Sequence, residues 1–588
     1  MAGFADTLAA TTQLRCAAAT VVACLVGSTH RTGALAFAHP LLSCRINLGL
    51  LHMLEVRPHS TTLYHNGIVH TQDATHHRAE ALVIKGNRIQ FVGSNAEARA
   101  LAGQGARLVD LGGRLMLPGF IDGHVHFVWG GRHLLGIDLR ACSTPKEFRN
   151  KVESYAAIHR GRWVIGGTWD HEVWPTKQLP TRQLIDDVTV GTPVFVQRLD
   201  SHMGLANSLA LQLAGITAAT PDPPGGMIER NPDSGEPTGI LKDLAMNLMQ
   251  AVIPKPSPME LEQAVLEAQQ EARRNGITSV HDITMPEDYA AFQTLEQNRK
   301  LTVRIYTRLP IAGYRELARE GIQAGHGSPF LKVGSLKAFS DGSLGASTAW
   351  FFGPYLNDST TAGLPMDIVT NGQLLSWALE ADRDRLQLSI HAIGDRANRY
   401  VLDIADRISS NNASWDRRFR VEHAQHVRPE DIPLFRKFNV IVSAQPYHVI
   451  EDGAWAESRI GRERVSSSFT FRSFIDAGVT LCFGSDWTVA PLDAIAGIYA
   501  AVTRRTLDGK NPDGWIPAQK LTVDEAVRCY TINNAYAAFE EHEKGTLEPG
   551  KLADLVVVSR DLYSLDPSEL RDAVVDMTIV DGNVVYER

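Results

Sequence analysis

Alternating apolar and polar residues mark both ends of this chain. Residues 62–93 read as short strands joined by tight turns, of which Asn66-Gly67 is the clearest. Residues 552–588 repeat the same pattern. Because chain termini often lie close together, we predict that 60–115 and 546–588 fold into one composite β-sandwich domain.

Between these ends, strand-like apolar runs alternate with segments of helical periodicity, which predicts a parallel sheet, open or closed into a barrel, over 116–545. Residues 145–255 are richer in Pro and Gly and are interpreted as an inserted cap that covers the site. The candidate strands are 163–167, 193–197, 278–282, 303–308, 332–339, 387–391, 420–423, 441–445 and 479–484, and the candidate helices are 259–275, 371–384 and 523–539.

The apolar run 117–126 ends in a His-x-His pair, His124 and His126. Side chains alternate along a strand, so residues two apart point to the same side. The pair therefore offers two imidazoles to one point in space, which is half of a metal site.

Four further polar residues lie where later apolar runs end: Lys337, His391, His423 and Asp486. In β/α barrels the reactive groups lie at the carboxyl ends of the strands. A lone His at a strand end is more often a hydrogen-bonded core residue than a ligand, but a Lys within an apolar strand is costly to bury unless its charge is removed or paired. Together the residues favour a metal site.

Composition excludes some classes of partner. The 588 residues carry a net charge of -8, which argues against nucleic acid or an anionic membrane as a main partner and leaves a small molecule. Six cysteines without a C-x-x-C pair are too few for a disulfide scaffold and suit a reducing, cytoplasmic location.

Residues 1–52 differ from the rest because they are Ala-rich and contain one acidic residue, Asp6. They fit either a targeting segment, which would make the protein organellar or secreted, or an over-extended start before Met53. Their apolar run 16–26 is too short to span a bilayer.

The motif at 117–126, Lys337, the two later strand-end histidines and Gly484-Ser-Asp486 resemble the amidohydrolase superfamily. Other motifs resemble its YtcJ-like branch, to which N-substituted formamide deformylases belong. They are Trp169-Asp170, Arg198-Leu-Asp-Ser-His202, Asn207-Ser208, Pro223-Pro-Gly-Gly, Pro237-Thr-Gly239, Asp341-Gly-Ser-Leu-Gly345 and His391-Ala-Ile-Gly-Asp-Arg396-Ala-Asn.

This resemblance implies an α/β fold, a (β/α)8 TIM-type metal-dependent hydrolase barrel, and one or two divalent ions, with Zn²⁺ first and Mn²⁺, Co²⁺ or Fe²⁺ as alternatives. It also implies a homodimer as the expected assembly, since the family is often dimeric. Carried over, the first metal is held by His124, His126 and Asp486, the second by His391 and His423, and both by Lys337 as a bridging carbamate.

The implied reaction is hydrolysis of a non-peptide carbon–nitrogen bond by a metal-bridging hydroxide, with Asp486 as base and then acid. The expected substrate is an N-substituted formamide or N-acyl compound. The alternatives are an ester or cyclic amide at the same centre, or a non-catalytic barrel that serves as a binding or scaffold protein.

Several residues are expected to contact substrate. In the inserted region these are Trp169, Asp170, Arg198 and His202, although an ion pair is the more common fate of an Arg. Asp341 follows the lysine strand and is expected to orient either the substrate or a residue behind the metal ligands. Further candidates for the pocket are Arg396, Asn398, Tyr447, His448 and Trp455. His281 and Asp282 also end a strand and could line the pocket, but a structural role is favoured for them.

Overall fold

The computed structural model describes residues 61–73, 75, 77–199, 203–223 and 226–588. The segment 1–52 and His202, both subjects of the predictions above, lie outside the described residues.

Eight parallel strands form the central barrel, as predicted. The last strand joins the first through two backbone hydrogen bonds, from Asp486 N to His124 O (2.7 Å) and from His126 N to Trp487 O (2.8 Å). A short strand, His326–Gly327, pairs outside the ring. The barrel strands, in chain order and in spatial order, are β1 (Phe120–Val125), β2 (Ile277–Ile283), β3 (Arg304–Pro310), β4 (Leu331–Phe339), β5 (Leu388–Ala392), β6 (Arg420–His423), β7 (Ile441–Ala444) and β8 (Leu481–Phe483).

Helices surround the barrel and bury one apolar face against it. In Pro258–Arg274, Ser257 and Glu260 form a capping box at the first turn, and the buried positions Leu261, Ala264 and Val265 recur at helical spacing. The others are Phe127–Leu135, Pro286–Gln297, Tyr314–Arg319, Asp367–Thr370, Gln373–Arg383, Asp395–Asn411, Ile432–Lys437, Pro446–Asp452, Ala456–Val465, Phe471–Asp476, Ala494–Thr503, Val523–Cys529 and Ile532–Ala537, with 3₁₀ turns at Ile311–Gly313 and Pro517–Gln519.

The predicted helix 523–539 is in fact two helices, with a break at Thr531 (φ -130, ψ -98). The break lets Asn534 reach the barrel, where its Nδ2 donates hydrogen bonds to the carbonyls of Ile121 (2.6 Å) and Phe483 (2.8 Å). These bonds tie the second helix to the strands at which the barrel closes.

Strands from both chain ends share one sheet, because Leu555–Val558 pairs antiparallel with Leu115–Pro118. The core between this sheet and its neighbour includes Val69, Leu82 and Leu555. The six-stranded sheet contains Ile68–His70, Arg78–Ala79, Leu115–Pro118, Leu555–Val558, Val575–Val580 and Asn583–Glu587; the four-stranded sheet contains Thr61–His65, Ala81–Lys85, Arg88–Gly93 and Arg107–Asp110; the helices are Asn95–Ala102 and the 3₁₀ segment Pro567–Asp572.

A separate sheet lies between β1 and β2 in the chain, and we call residues 137–256 the cap. The candidate strands 163–167 and 193–197 belong to this sheet and not to the barrel, because they pair with each other and pack on their own core. Its strands are Ile137–Asp138, Val164–Trp169, Val194–Arg198, Met203–Ala206, Gly226–Arg230 and Pro237–Asp243; its helical segments are Pro145–Ile158, His171–Val173, Arg182–Leu184, Asp186–Val188, Ser208–Leu213, Leu244–Met246 and Asn247–Gln250.

Within the described part of the chain, none of the helices combines the length and the apolar character that crossing a bilayer requires.

A buried ion pair fastens the barrel to the composite sheets. Arg304 at the start of β3 donates from Nε to Asp554 Oδ2 (2.7 Å) and from Nη2 to Asp554 Oδ1 (3.0 Å). The side chains of both partners are almost fully buried. A second acceptor, Asp581 Oδ1, lies 3.0 Å from Nη2.

We expect Arg304→Ala to lower the free energy of unfolding by about 3–5 kcal/mol, because Asp554 would be left as an uncompensated buried charge. Urea and thermal unfolding would measure the change. The control is Arg560→Ala, which breaks an exposed ion pair with Glu569 and should leave both transitions in place. Equal effects of the two substitutions would contradict this role for the buried pair.

Candidate active site

Side chains from three parts of the barrel sheet meet at its carboxyl edge. Ligand atoms of His124, at the end of β1, His423, at the end of β6, and Asp486, after β8, all lie within 4.8 Å of one another. His126 lies just beyond β1, with its Nε2 3.3 Å from Asp486 Oδ1. Two imidazoles and a carboxylate are a donor set that fits a divalent cation such as Zn²⁺.

The backbone is strained at two of these positions. His423 and Asp486 have φ values of 71° and 58°, in the left-handed region that costs a non-glycine residue on the order of 1–3 kcal/mol. Such conformations persist where the surroundings enforce them, as the bond from Asp486 N to His124 O does here. They turn the chain sharply at the strand ends.

Neighbouring oxygens select which nitrogen each imidazole presents. His124 Nδ1 donates to Glu422 Oε2 (2.5 Å), and His423 Nδ1 donates to Gln445 Oε1 (2.7 Å). Each ring is thereby oriented with Nε2 left to act as a ligand, an arrangement typical of metal-binding histidines. Burial lowers the pKa of His124 to about 3, so the ring is neutral, as a ligand must be.

Glu422 on β6 is a functional residue that the sequence reasoning missed. It is fully buried and also bonds to Arg308 Nη1 (2.7 Å) and Ser389 Oγ (2.6 Å). Burial alone would raise its pKa, but Arg308 and His124 outweigh that effect and hold the pKa well below its usual range. The signal available in the sequence was a carboxylate within the candidate strand 420–423, directly before His423.

Lys337 on β4 is buried, and its Nζ has no hydrogen-bond partner among the described residues. The nitrogen lies 4.7 Å from the centre of the Phe339 ring. Burial lowers the pKa of Lys337 to about 8. Such a buried amine without a hydrogen-bond partner, beside the ligand cluster, fits a residue that acquires a further role when it is covalently modified.

His391 at the end of β5 lies beside the three-residue cluster but not within it. Its ring centre is 4.4 Å from that of His423. Its Nε2 donates to Gly342 O (3.1 Å) and lies 3.4 Å from Asp341 Oδ1, which leaves Nδ1 for a ligand.

Asp341 and Arg396 form contacts with neighbouring segments of the protein. The buried carboxylate of Asp341 accepts three backbone hydrogen bonds, from Ile393 (3.0 Å), Gly394 (2.9 Å) and Trp350 (2.8 Å), and so ties the loops after β4 and β5 together. Arg396 stacks on the Trp350 ring at 4.5 Å. It does not line the cavity that lies between the barrel and the cap.

The predicted cap residues also differ in their placement. Trp169 is buried in the core of the cap, where its Nε1 donates to Val196 O (2.9 Å). Asp170 and Arg198 form an ion pair with each other (2.8 Å). None of the three lines the cavity between the barrel and the cap that is described below. In this part of the cap the cavity wall is formed by Gln197, which precedes Arg198 on the strand and therefore points to the opposite face of the sheet.

His281 and Asp282 on β2 form hydrogen bonds inside the barrel. Arg420 Nη1 donates to His281 Nδ1 (2.9 Å), and Asp282 accepts from Phe127 N (2.6 Å) and Thr284 Oγ1 (2.6 Å). Both residues are fully buried.

A cavity of about 880 Å³ lies between the barrel and the cap, with the ligand cluster on its wall. It is large enough to enclose a small organic molecule. Its apolar lining is Val128, Trp129, Met246, Leu261, Ile283, Met285, Phe339, Leu344, Ile393, Trp455 and Val489, and its polar lining beyond the ligand residues includes Arg132, Gln197, Gln250, Lys255, Glu287, Asp288, Gln425, His448, Glu451 and Asp452.

Comparison with known proteins gives a consistent picture. The amidohydrolase family model matches residues 107–586. Protein LONG AFTER FAR-RED 3 of Arabidopsis thaliana is 36% identical over 538 residues, which cover 89% of this chain and 91% of that protein. The YtcJ protein of Bacillus subtilis (strain 168) is 29% identical over 90% of this chain and 99% of its own length.

Two further similarities bear on the chemistry. The N-substituted formamide deformylase of Arthrobacter pascens is 28% identical over 89% of this chain and 98% of its own length. An uncharacterized metal-dependent hydrolase from Pyrococcus horikoshii OT3 superposes with a TM-score of 0.72 at 26% identity, over 87% of this chain and 99% of that one.

We expect Glu422→Gln to weaken binding of Zn²⁺ by about 10- to 100-fold, because the carboxylate orients His124 and raises its basicity. Competition with a chelator would measure the affinity. Glu430→Gln, at an exposed site, is the matched control and should bind the ion like the unaltered protein. An unchanged affinity in Glu422→Gln would contradict this role.

Proposed function

This chain belongs to the amidohydrolase family, and on that basis we propose that it hydrolyses a small linear amide, either an N-substituted formamide or another N-acyl amine. As a member of that family it is a metal-dependent hydrolase acting on carbon–nitrogen bonds. The observation that carries the proposal is the convergence of His124, His423 and Asp486 beside an unpaired buried lysine on the wall of the cavity.

The first metal would be held by His124, His126 and Asp486, and a second ion by His391 and His423, with Zn²⁺ as the expected ion at both sites. When bound, such an ion activates water near neutral pH and polarises a carbonyl oxygen. Glu422 and Gln445 keep the imidazoles of His124 and His423 in the ligand orientation.

Lys337 would join the site as a carbamate. In that step the ammonium group first loses a proton, and the neutral Nζ then forms a bond to the carbon of CO₂ and loses a second proton, so a cation becomes an anion with the release of two protons. Only the neutral amine adds CO₂, and with its pKa lowered to about 8 by burial, a substantial share of Lys337 is neutral in mildly alkaline solution. The modification would also remove the cost of an unpaired buried ammonium.

Asp486 would move the proton of the reaction. Burial raises the pKa of this carboxyl, but the imidazoles of His124, His126 and His423 outweigh burial and hold the pKa well below its usual range, so the group is ionised. As a base it takes the proton of the attacking water, and as an acid it returns that proton to the leaving nitrogen.

The cavity supports a linear amide with a sizeable substituent. Its wall is largely apolar, and its volume of about 880 Å³ far exceeds that of a formyl group. The similarity to the N-substituted formamide deformylase points the same way.

The substrate class is tested with Zn²⁺-loaded protein and three benzyl compounds: N-benzylformamide, N-benzylacetamide and benzyl formate, with hydantoin as a cyclic amide. We expect release of benzylamine from one or both amides, and a loss of about 10²- to 10⁴-fold in kcat for Asp486→Asn when its metal content is retained. Hydrolysis of the ester or hydantoin alone would overturn the proposed substrate class, and normal turnover by Asp486→Asn would overturn the proton role.

We expect Lys337→Ala to lose most of its bound Zn²⁺, because the bridging anion would be absent. Metal analysis of the purified protein would show a fall from about two ions per chain, the number expected for a lysine-bridged centre. Lys437→Ala, on an exposed part of the helix Ile432–Lys437, is the control and should retain full occupancy. One ion that is unaffected by Lys337→Ala would point to a mononuclear site with a structural lysine.

A further inference from the structure

Three polar side chains on the helix Pro446–Asp452, directly after β7, line the cavity without serving the proposed metal centre. They are His448, Glu451 and Asp452. Residues three and four apart lie on one face of a helix. The three therefore form a single polar strip along the wall of the cavity, about one helical turn long.

His448 faces the cavity with an unused hydrogen-bonding group. Only 8% of its surface is exposed, and its Nε2 has no hydrogen-bond partner within the described part of the chain. Burial lowers its pKa, and the charge of Asp486 opposes that shift, which places the ring within electrostatic reach of the ligand cluster. A buried polar atom without a partner is costly, so it points to a ligand.

The charge of Glu451 and Asp452 is only partly compensated, because the positive charge that acts on Glu451 is that of Arg140, which forms no ion pair with it among the described residues. The Asp452 carboxylate accepts a hydrogen bond from Gln425 Nε2 (2.7 Å), but neither carboxyl forms an ion pair with a residue that the structure describes. Burial raises the pKa of Glu451 to about 8, with Asp452 adding to the effect and Arg140 opposing it, and burial raises the pKa of Asp452 to about 7. A cation between them would stabilise both anions.

Two further acidic residues of the cavity wall, Glu287 and Asp288, follow β2. They lie on the wall that also carries Arg132, and the charge of Arg132 opposes the larger effect by which burial raises the pKa of Asp288. A metal ion does not fit the strip after β7, because among the described residues the converging group of ligand atoms is the one formed by His124, His423 and Asp486.

We propose that Glu451 and Asp452 bind an organic cation carried by the substrate, a protonated or quaternary ammonium group remote from the scissile bond, while His448 Nε2 contacts the polar atoms between that group and the amide. The inference rests on the proposed function, since it names the class of amide that the same cavity selects. Such a substrate is an N-acyl amine that keeps a second, positively charged nitrogen.

Choline and its neutral isostere 3,3-dimethylbutan-1-ol separate charge from shape, and neither ammonium nor tert-butyl group can act as a metal ligand. We expect choline to bind Zn²⁺-loaded protein at least about tenfold more tightly, measured by isothermal titration calorimetry. Glu451→Gln and Asp452→Asn should each remove most of this preference. Glu457→Gln, an exposed carboxyl on the next helix, should retain it.

A kinetic comparison distinguishes failure of this inference from failure of the proposed function. The substrates are the N-formyl derivatives of 2-(trimethylammonio)ethylamine and of 3,3-dimethylbutylamine, and we expect a higher kcat/KM for the charged one. A binding preference for choline that Glu451→Gln abolishes supports the cation subsite even if neither formamide is hydrolysed. Hydrolysis of both formamides at equal kcat/KM, together with equal binding of the two alcohols, would overturn the subsite and leave the proposed function intact.

Discussion

Closure of the barrel between β1 and β8 is the constraint on which the site depends. The backbone bond from Asp486 N to His124 O joins strands that are more than 350 residues apart in the chain. Since parallel strands all end at the same edge, this bond brings the Asp486 carboxylate beside His124 and His126. The left-handed backbone at Asp486 is the local cost of that arrangement.

Charge compensation inside the barrel explains why so many polar groups are tolerated there. Glu422 is balanced by Arg308 and also orients His124, so one buried carboxylate serves both stability and the metal site. Lys337 Nζ forms no hydrogen bond with a described residue, and the charges of Glu422 and Asp486 offset only part of the effect of its burial. Glu422 is therefore satisfied by contacts within the fold, whereas Lys337 requires a modification or a ligand.

The barrel, the composite sheets and the cap contribute different parts of the structure. The barrel supplies the candidate metal ligands, the composite sheets are tied to it through Arg304 and Asp554, and the cap supplies part of the cavity wall through Gln197, Gln250 and Lys255. Much of the cavity wall therefore belongs to segments that follow the strands, whereas the candidate metal ligands lie at the strand ends or just beyond them.

The amino-acid sequence by itself predicted strands that alternate with helices and singled out the polar strand ends, and its resemblance to the amidohydrolase superfamily added the barrel. A His, Lys or Asp at the end of an apolar run is visible locally, because alternation and burial leave their pattern in consecutive residues. Glu422 could have been recognised by the same reasoning, as a carboxylate within a buried strand. Tertiary structure alone decided that strands 163–167 and 193–197 join the cap sheet, that Trp169 lies in a core, and that Asp341 ties loops together. Those outcomes depend on which distant segments pair and pack, and contacts of that kind leave no periodic signal in the chain.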